Sequence, residues 1–318
     1  MNRVRKLFGI RYPIVGAGMV WWSNADLCAA VAATGCLGLL AGGSHTPEQM
    51  AAAIDEVRRR TDGVFGINIP LLYSTADEII RVGLDKGVKI FFTSAGSPKK
   101  YTGLIHERGG IVVHVVPAAK LAKKCEEAGC DAVVAEGGEG GGHIAAEPVA
   151  SMVLWPAVVD AVKIPVIAAG GVVDARHMAA AFALGADGIQ VGTRFIACAE
   201  STGHPAYVQR VLDMDETGTA VTGRFIEPVR GIRNKLTDAI VEMEREGKSP
   251  QEILAFIGPG RSRAATLDGD VEWGSMQCGQ VAGLIHDRPP AAEVVRRFVD
   301  DYRRVVERTA AMDPAITT

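Results

Sequence analysis

PVIAAGGVVDARHMAAAFALGADGIQVGTRF, from Pro165 to Phe195, contains the unit from which most of the chain is built. A short apolar run, VIAA, stops at Gly170 and Gly171. ARHMAAAFAL follows with helical spacing and ends at Gly185, where glycine serves as a C-terminal cap. A second apolar run, GIQV, ends again at a glycine, Gly192. Strands that are apolar throughout, separated by helices, belong to parallel sheets covered by helices on their faces.

Upstream the same unit recurs. The runs YPIVGAGM, CLGLLAGG, VFGINIPLL, VKIFFTSAG, GIVVHVVP and AVVAEGG begin near Tyr12, Cys36, Val64, Val88, Gly110 and Ala132. Between them lie NADLCAAVAATG, TPEQMAAAIDEVRRRT, AAKLAKKCEEAG and, after the sixth, ASMVLWPAVVDAV, all with helical periodicity. With the runs at Pro165 and Gly188 this makes eight strands, which predicts an α/β protein with a (β/α)8 TIM barrel over residues 1–201. An open doubly wound sheet, the alternative, needs fewer strands before its ligand crevice.

The pattern changes after Ser201. TDAIVEMEREG and SPQEILAFIG read as helices and FIEPVRGIRNKLT as an irregular connector, so residues 202–265 are expected to form a small, mainly helical lid domain. Residues 266–318 then return to the barrel and end in an amphipathic helix from Ala291 to Met312. Val294, Val295, Phe298, Tyr302, Val305 and Val306 share one face of that helix.

At 318 residues, 48% of them hydrophobic, the chain has ample material for a large core. A net charge of −3 offers no basic footprint for nucleic acid and no polybasic patch for a membrane. The N-terminal MNRVRKLFGIRYP lacks the apolar stretch of a signal peptide, and no apolar run reaches membrane-spanning length. Six scattered cysteines suggest free thiols in a reducing compartment, so a cytoplasmic location is expected. Cys125 and Cys130 lack the second Cys or His pair that a zinc site needs, and no metal is expected.

A barrel of this kind places its site at the C-terminal strand ends, with phosphate held after strands seven and eight. Gly170, Gly171, Gly192 and Thr193 stand there, offering backbone N–H groups without steric obstruction. Gly18 and Met19 after strand one, Asn68 on strand three and Glu136 at the end of strand six face the same mouth and can surround a planar ring. In VVAEGGEGGGHIAAEP, from Val133 to Pro148, a dense glycine run leads directly into His143. An imidazole that titrates near neutrality suits proton transfer or donation to a developing oxyanion, so His143 is the candidate catalytic residue. His114, in VVHVVP, is the second candidate.

INIPLL, SAGSPKKY, AEGGEGGGHI, IPVIAAGGVVD, GADGIQVGTRFIACAES and GDVEWGSMQCGQVAGLI together resemble the nitronate monooxygenase (2-nitropropane dioxygenase) family. SAGSPKKY and the C-terminal motif also resemble the FMN-dependent enoyl-acyl-carrier-protein reductases of that superfamily. The resemblance spans nearly the whole chain and implies an FMN-binding barrel. Gly18, Met19, Asn68 and Glu136 would lie around the isoalloxazine or ribityl chain, and Gly170, Gly171, Gly192 and Thr193 around the phosphate. His143 would stand by the reactive edge, while Ser275, Gly279 and Gln280 of GSMQCGQ close the cofactor site. The chain departs from the pattern at Ala17 and Ala145, where the family usually has glycine.

The resemblance implies one of three reactions. The leading expectation is oxidation of alkyl nitronates by oxygen to carbonyl compounds and nitrite, with Trp21, Trp22 and Ala145 crowding a small pocket. The alternatives are an enoyl-acyl-carrier-protein reductase or a quinone reductase, each drawing on NADH or NADPH. An acyl-carrier protein would be a partner only in the enoyl case, with Lys99 and Lys100, or Arg230, Arg233 and Lys235, as a local basic patch. Otherwise the partner is a small-molecule substrate, and a homodimer is left open.

Overall fold

The structure, a computed structural model, describes residues 2–312. Its strands in chain order are β1 (Ile14–Gly16), β2 (Gly38–Ala41), β3 (Phe65–Pro70), β4 (Ile90–Ser94), β5 (Ile111–Val116) and β6 (Ala132–Glu136). They continue with β7 (Gly142–His143), β8 (Val166–Ala169), β9 (Gly188–Val191), β10 (Thr219–Thr222) and β11 (Val229–Ile232). Eight of these form a parallel sheet in the order β1-β9-β8-β6-β5-β4-β3-β2. The two edges meet: Gly16 N donates to Leu37 O at 2.8 Å and Leu37 N to Ile14 O at 3.0 Å, which nearly closes a (β/α)8 barrel. The strand ends read as seventh and eighth in sequence belong to β8 and β9.

Both faces of each strand are buried, which is why the sequence shows no polar alternation. Successive side chains nevertheless go to different cores. Phe91 packs outward under the helices, whereas Phe92 points into the barrel with Val15, Leu39, Val113, Val134 and Ile167. The helix Arg3–Phe8, capped by the Asn2 side chain, closes the N-terminal end, with Val4 and Phe8 in the interior cluster and the Phe8 ring 5.9 Å from Phe92. With that end plugged, only the C-terminal mouth is left to receive a ligand.

Outside, the helices cover the sheet with one face each. Pro47–Arg60 starts at a capping box between Thr46 and Gln49 and buries Met50, Ala53, Ile54 and Val57, the spacing of a single helical stripe. The last helix, Ala291–Ala310, buries Val294, Val295 and Phe298 and sets Tyr302 edge-on to Phe182 at 5.6 Å. Val306, expected on the same face, is exposed beyond the edge of the barrel.

Residues 202–265 are mainly helical, with Pro205–Leu212, Lys235–Arg245 and Pro250–Ile257. The stretch read as an irregular connector is different: it contains β11, which pairs antiparallel with β10 and with β7. Gly231 and Ile232 of this strand are buried, as are all four residues of β10, so no alternation marks the hairpin. Through β7 this sheet reaches into the barrel's own β6 loop.

Among the described residues no helix is long and apolar enough to cross a membrane, and no His, Cys, Asp and Glu group could hold a metal ion. All six cysteines are free and buried.

Candidate active site

A cavity of about 210 Å³ opens at the C-terminal strand ends. Gly18, Met19, Asn68, Glu136, His143, Gly170, Gly171, Gly192, Thr193 and Gly279 all line it. Ser275 and Gln280 do not. The segment that carries them runs extended only as far as Gly279: Met276 and Cys278 face a buried apolar cluster, and Gln277 and Gly279 face the cavity. Gln280 opens the helical turn Gln280–Leu284, its backbone N–H donating to Glu139 O at 3.0 Å, while Ser275 is tied to the Arg261 carbonyl at 3.0 Å through its backbone N–H.

The end expected to hold a phosphate is built by backbone. The amides of Gly171 and Gly192 donate to no acceptor among the described residues. A Cβ at Gly192 would meet Met19 Sδ at 3.4 Å and Ala17 Cβ at 3.5 Å, ordinary contacts. Gly170 differs: at φ +78°, its Cβ would fall 2.4 Å from Gly137 O, so glycine there lets the β6 and β8 loops touch. The Thr193 hydroxyl accepts from Gly279 N at 3.1 Å and ties the C-terminal segment to the same corner.

The ring end carries an open polar requirement. Gln190, on β9, lines the cavity, and its buried Oε1 has no hydrogen-bond partner among the described residues. A buried acceptor left unpaired is costly, and a planar group presenting an N–H edge would satisfy it. On both counts the residues present fit a ligand with a phosphate and a planar polar ring, as FMN has. Asn68 is already engaged, its Nδ2 donating to Gly18 O at 2.9 Å.

His143 and Glu136 are the titratable groups that face both the cavity and its neighbour described below. His143 sits on β7 opposite Val229, with Nε2 3.7 Å from Glu227 Oε2 and more than half its side chain exposed. Its backbone is held by pairing with β11, not by a free loop. Glu136 ends β6, walled by protein except where it faces the cavity, and makes no side-chain hydrogen bond or ion pair among the described residues. Burial pushes its carboxyl up to about 7. Glu139, by contrast, is spent on structure, accepting from Ser151 Oγ at 2.8 Å and from Ser151 N at the start of the Ser151–Val159 helix.

Arg230 points inward to the glycine loop. Its guanidinium donates to Gly138 O at 3.0 and 2.8 Å and to Thr219 Oγ1 at 3.1 Å. Lys235 is paired with Glu272 at 2.9 Å, and Lys100 donates to Tyr101. His114 is buried on β5, its Nδ1 2.7 Å from Thr93 Oγ1, and burial pushes it down to about 4. It lines only the neighbouring cavity. Trp22 lines the main cavity and stands edge-on to Tyr207 at 4.8 Å, but Trp21 lines neither cavity.

Gln190, Gln277 and Tyr207 are site residues that sequence reasoning missed. A glutamine inside the apolar run GIQV was the one available signal.

The family model of nitronate monooxygenases matches residues 2–81 and 72–301. The chain belongs to the nitronate monooxygenase family. It is 34% identical, over 96% of its length and 97% of the relative's, to the (3aS,4S,5R,7aS)-5-hydroxy-7a-methyl-1-oxo-octahydro-1H-indene-4-carboxyl-CoA dehydrogenase of Mycobacterium tuberculosis. Among solved structures it is similar to FabK from Thermotoga maritima, at 40% identity and a TM-score of 0.94, covering 98% of this chain and 99% of that one. The nitroalkane oxidase from Streptomyces ansochromogenes aligns at 26% identity and a TM-score of 0.82, covering 97% and 99%. The chain is an oxidoreductase of this family.

Proposed function

We propose that this family member is an FMN-dependent, NAD(P)H-driven reductase of 2-enoyl thioesters. The observation that carries the reading is the pair of adjoining cavities, one glycine-lined and one apolar, that share Glu136 and His143. A small nitronate needs only the first; a thioester with an acyl chain uses both. Similarity to a carboxyl-CoA dehydrogenase and to FabK supports the same direction. Of the three residues expected to crowd a small pocket, Trp22 lines the first cavity, Ala145 lines the apolar one and Trp21 lines neither.

Bound FMN would supply the electron pair that reduces the double bond. The chain supplies the rest. Gly171 and Gly192 amides hold the phosphate, and Gln190 orients the ring edge. His143 donates a hydrogen bond to the thioester carbonyl oxygen, where negative charge develops, and Glu227 Oε2 stands 3.7 Å from its Nε2. Glu136, with its carboxyl near neutrality, holds a proton at the shared edge of the two cavities.

Nitronate oxidation is the second reading, supported by the family model's description and the nitroalkane oxidase fold match. Anaerobic mixing separates the two. NADH or NADPH should bleach the flavin, and a 2-enoyl thioester should restore its colour within the turnover time. Direct bleaching by propyl-2-nitronate, with no response to either nicotinamide, would reverse the order.

A further inference from the structure

The second cavity, of about 330 Å³, adjoins the first and shares Ser94, Val115, Glu136 and His143 with it. Its own walls are apolar: Val116, Pro117, Leu121, Ile144, Pro148 and Val149. Glu136 and His143 stand at the shared edge, and the remaining titratable group is His114. Burial keeps His114 neutral at physiological pH, and Thr93 takes up its Nδ1. Beyond the shared edge the cavity therefore offers no charge to a phosphate or carboxylate and no cation to an acidic group. At its rim the backbone turns sharply away from β4, with Ala95 at φ +52° and Gly96 at φ +153°. A non-glycine residue in the left-handed region is strained, a condition that persists where the surrounding structure demands it.

We propose that this cavity is the acyl-tail chamber of the enzyme: it receives the apolar chain of the substrate while the thioester lies between His143 and Glu136. This rests on the enoyl thioester reading and adds a specificity to it. The chamber selects substrates by apolar length, and Leu121, Ile144 and Val149 set that selection. Ala145, where the family usually has glycine, narrows the chamber by one methyl group.

Saturated acyl-CoAs test the chamber without turnover. Titrating the flavin-loaded protein calorimetrically with butanoyl-, hexanoyl- and octanoyl-CoA should show Kd falling about fourfold per added methylene, the transfer preference of a buried CH2. Leu121 and Val149 are half-buried, so Leu121→Trp and Val149→Trp can each turn a larger ring into the chamber. Both should reduce the octanoyl-to-butanoyl affinity ratio by tenfold or more. Equal affinities for butanoyl- and octanoyl-CoA in the wild type would overturn the proposal, as would an undiminished ratio in both variants. If affinity rises with length but no enoyl thioester reoxidises the reduced enzyme, the chamber stands and the proposed reaction falls.

Discussion

Glu136 and His143 reach the same space from different supports, and that difference makes their roles separable. His143 is held by backbone pairing with Val229 and its side chain is largely free, so its removal should cost chemistry and little stability. We expect His143→Ala to retain flavin and melt within a few degrees of wild type while kcat/KM falls roughly 10²- to 10⁴-fold, the range for an acid–base group. Loss of flavin in that variant would mark the residue as structural. For Glu136 the sign of the pH effect is set by burial. Its folded pKa, about 7, lies above the ordinary 4.5, so the unfolded chain releases this proton first as pH rises. Its contribution is thus fully present below pH 4.5 and lost as pH climbs through 7, by at most about 3 kcal/mol. Glu136→Gln should remove that loss. The melting-temperature difference, variant minus wild type, should therefore grow between pH 5 and 7.5 in flavin-free protein; a flat difference would place the carboxyl in an ordinary environment.

At the scale of elements, the decisive feature is that β7 belongs to the β10–β11 sheet although it lies in a barrel loop. Ile144 N donates to Pro228 O at 2.9 Å, and Arg230 on β11 holds Gly138 O with two N–H groups. Loop and hairpin are thus one mechanical unit. Arg230→Met would leave the Gly138 carbonyl without its donor, and hydrogen bonds to charged groups are worth about 1.5–3 kcal/mol. We expect faster amide exchange from Gly138 to His143 and a lower kcat with flavin still bound; unchanged exchange there would show that β7 alone holds the loop. The eight barrel strands were legible because each is mostly apolar, Asn68, His114 and Gln190 being among the exceptions, and most run into a glycine at the mouth. The β10–β11 hairpin was not: VRGI carries an arginine and a glycine, and TAVT is buried on both sides, so neither stretch alternates. In the candidate site, the positions at strand ends were legible because the fold itself fixes which end faces ligand. Gln190 was hidden within a strand whose inward parity the sequence does not reveal. Gln277 and Tyr207 needed contacts between distant segments: the Tyr207 hydroxyl donates to Gln277 O at 2.8 Å across the interface of the helical segment and the C-terminal return.

The same contact governs the molecule as a whole. Trp22 from the barrel mouth, Tyr207 and Val211 from the Pro205–Leu212 helix, and Met276, Cys278 and Ala282 from the returning segment form one buried cluster, separate from the barrel interior. It seats Gln277 and Gly279 against the cavity, so ligand binding and attachment of the second domain depend on one set of contacts. Tyr207 is fully buried at its centre. Replacing so large a side chain by alanine removes its packing and leaves a cavity, at a cost of about 3–5 kcal/mol by analogy with Phe and Trp truncations. That loss falls on the cluster and not on the barrel, whose interior and outer cores share none of its buried residues. We therefore expect wild-type protein to unfold in a single transition and Tyr207→Ala in two, with flavin released in the first while far-ultraviolet circular dichroism keeps most of its helical signal. Tyr207→Phe, which loses only the bond to Gln277 O, should keep the single transition and bind flavin a few-fold more weakly. A single lowered transition in Tyr207→Ala, with flavin retained up to it, would show instead that barrel and second domain unfold as one body.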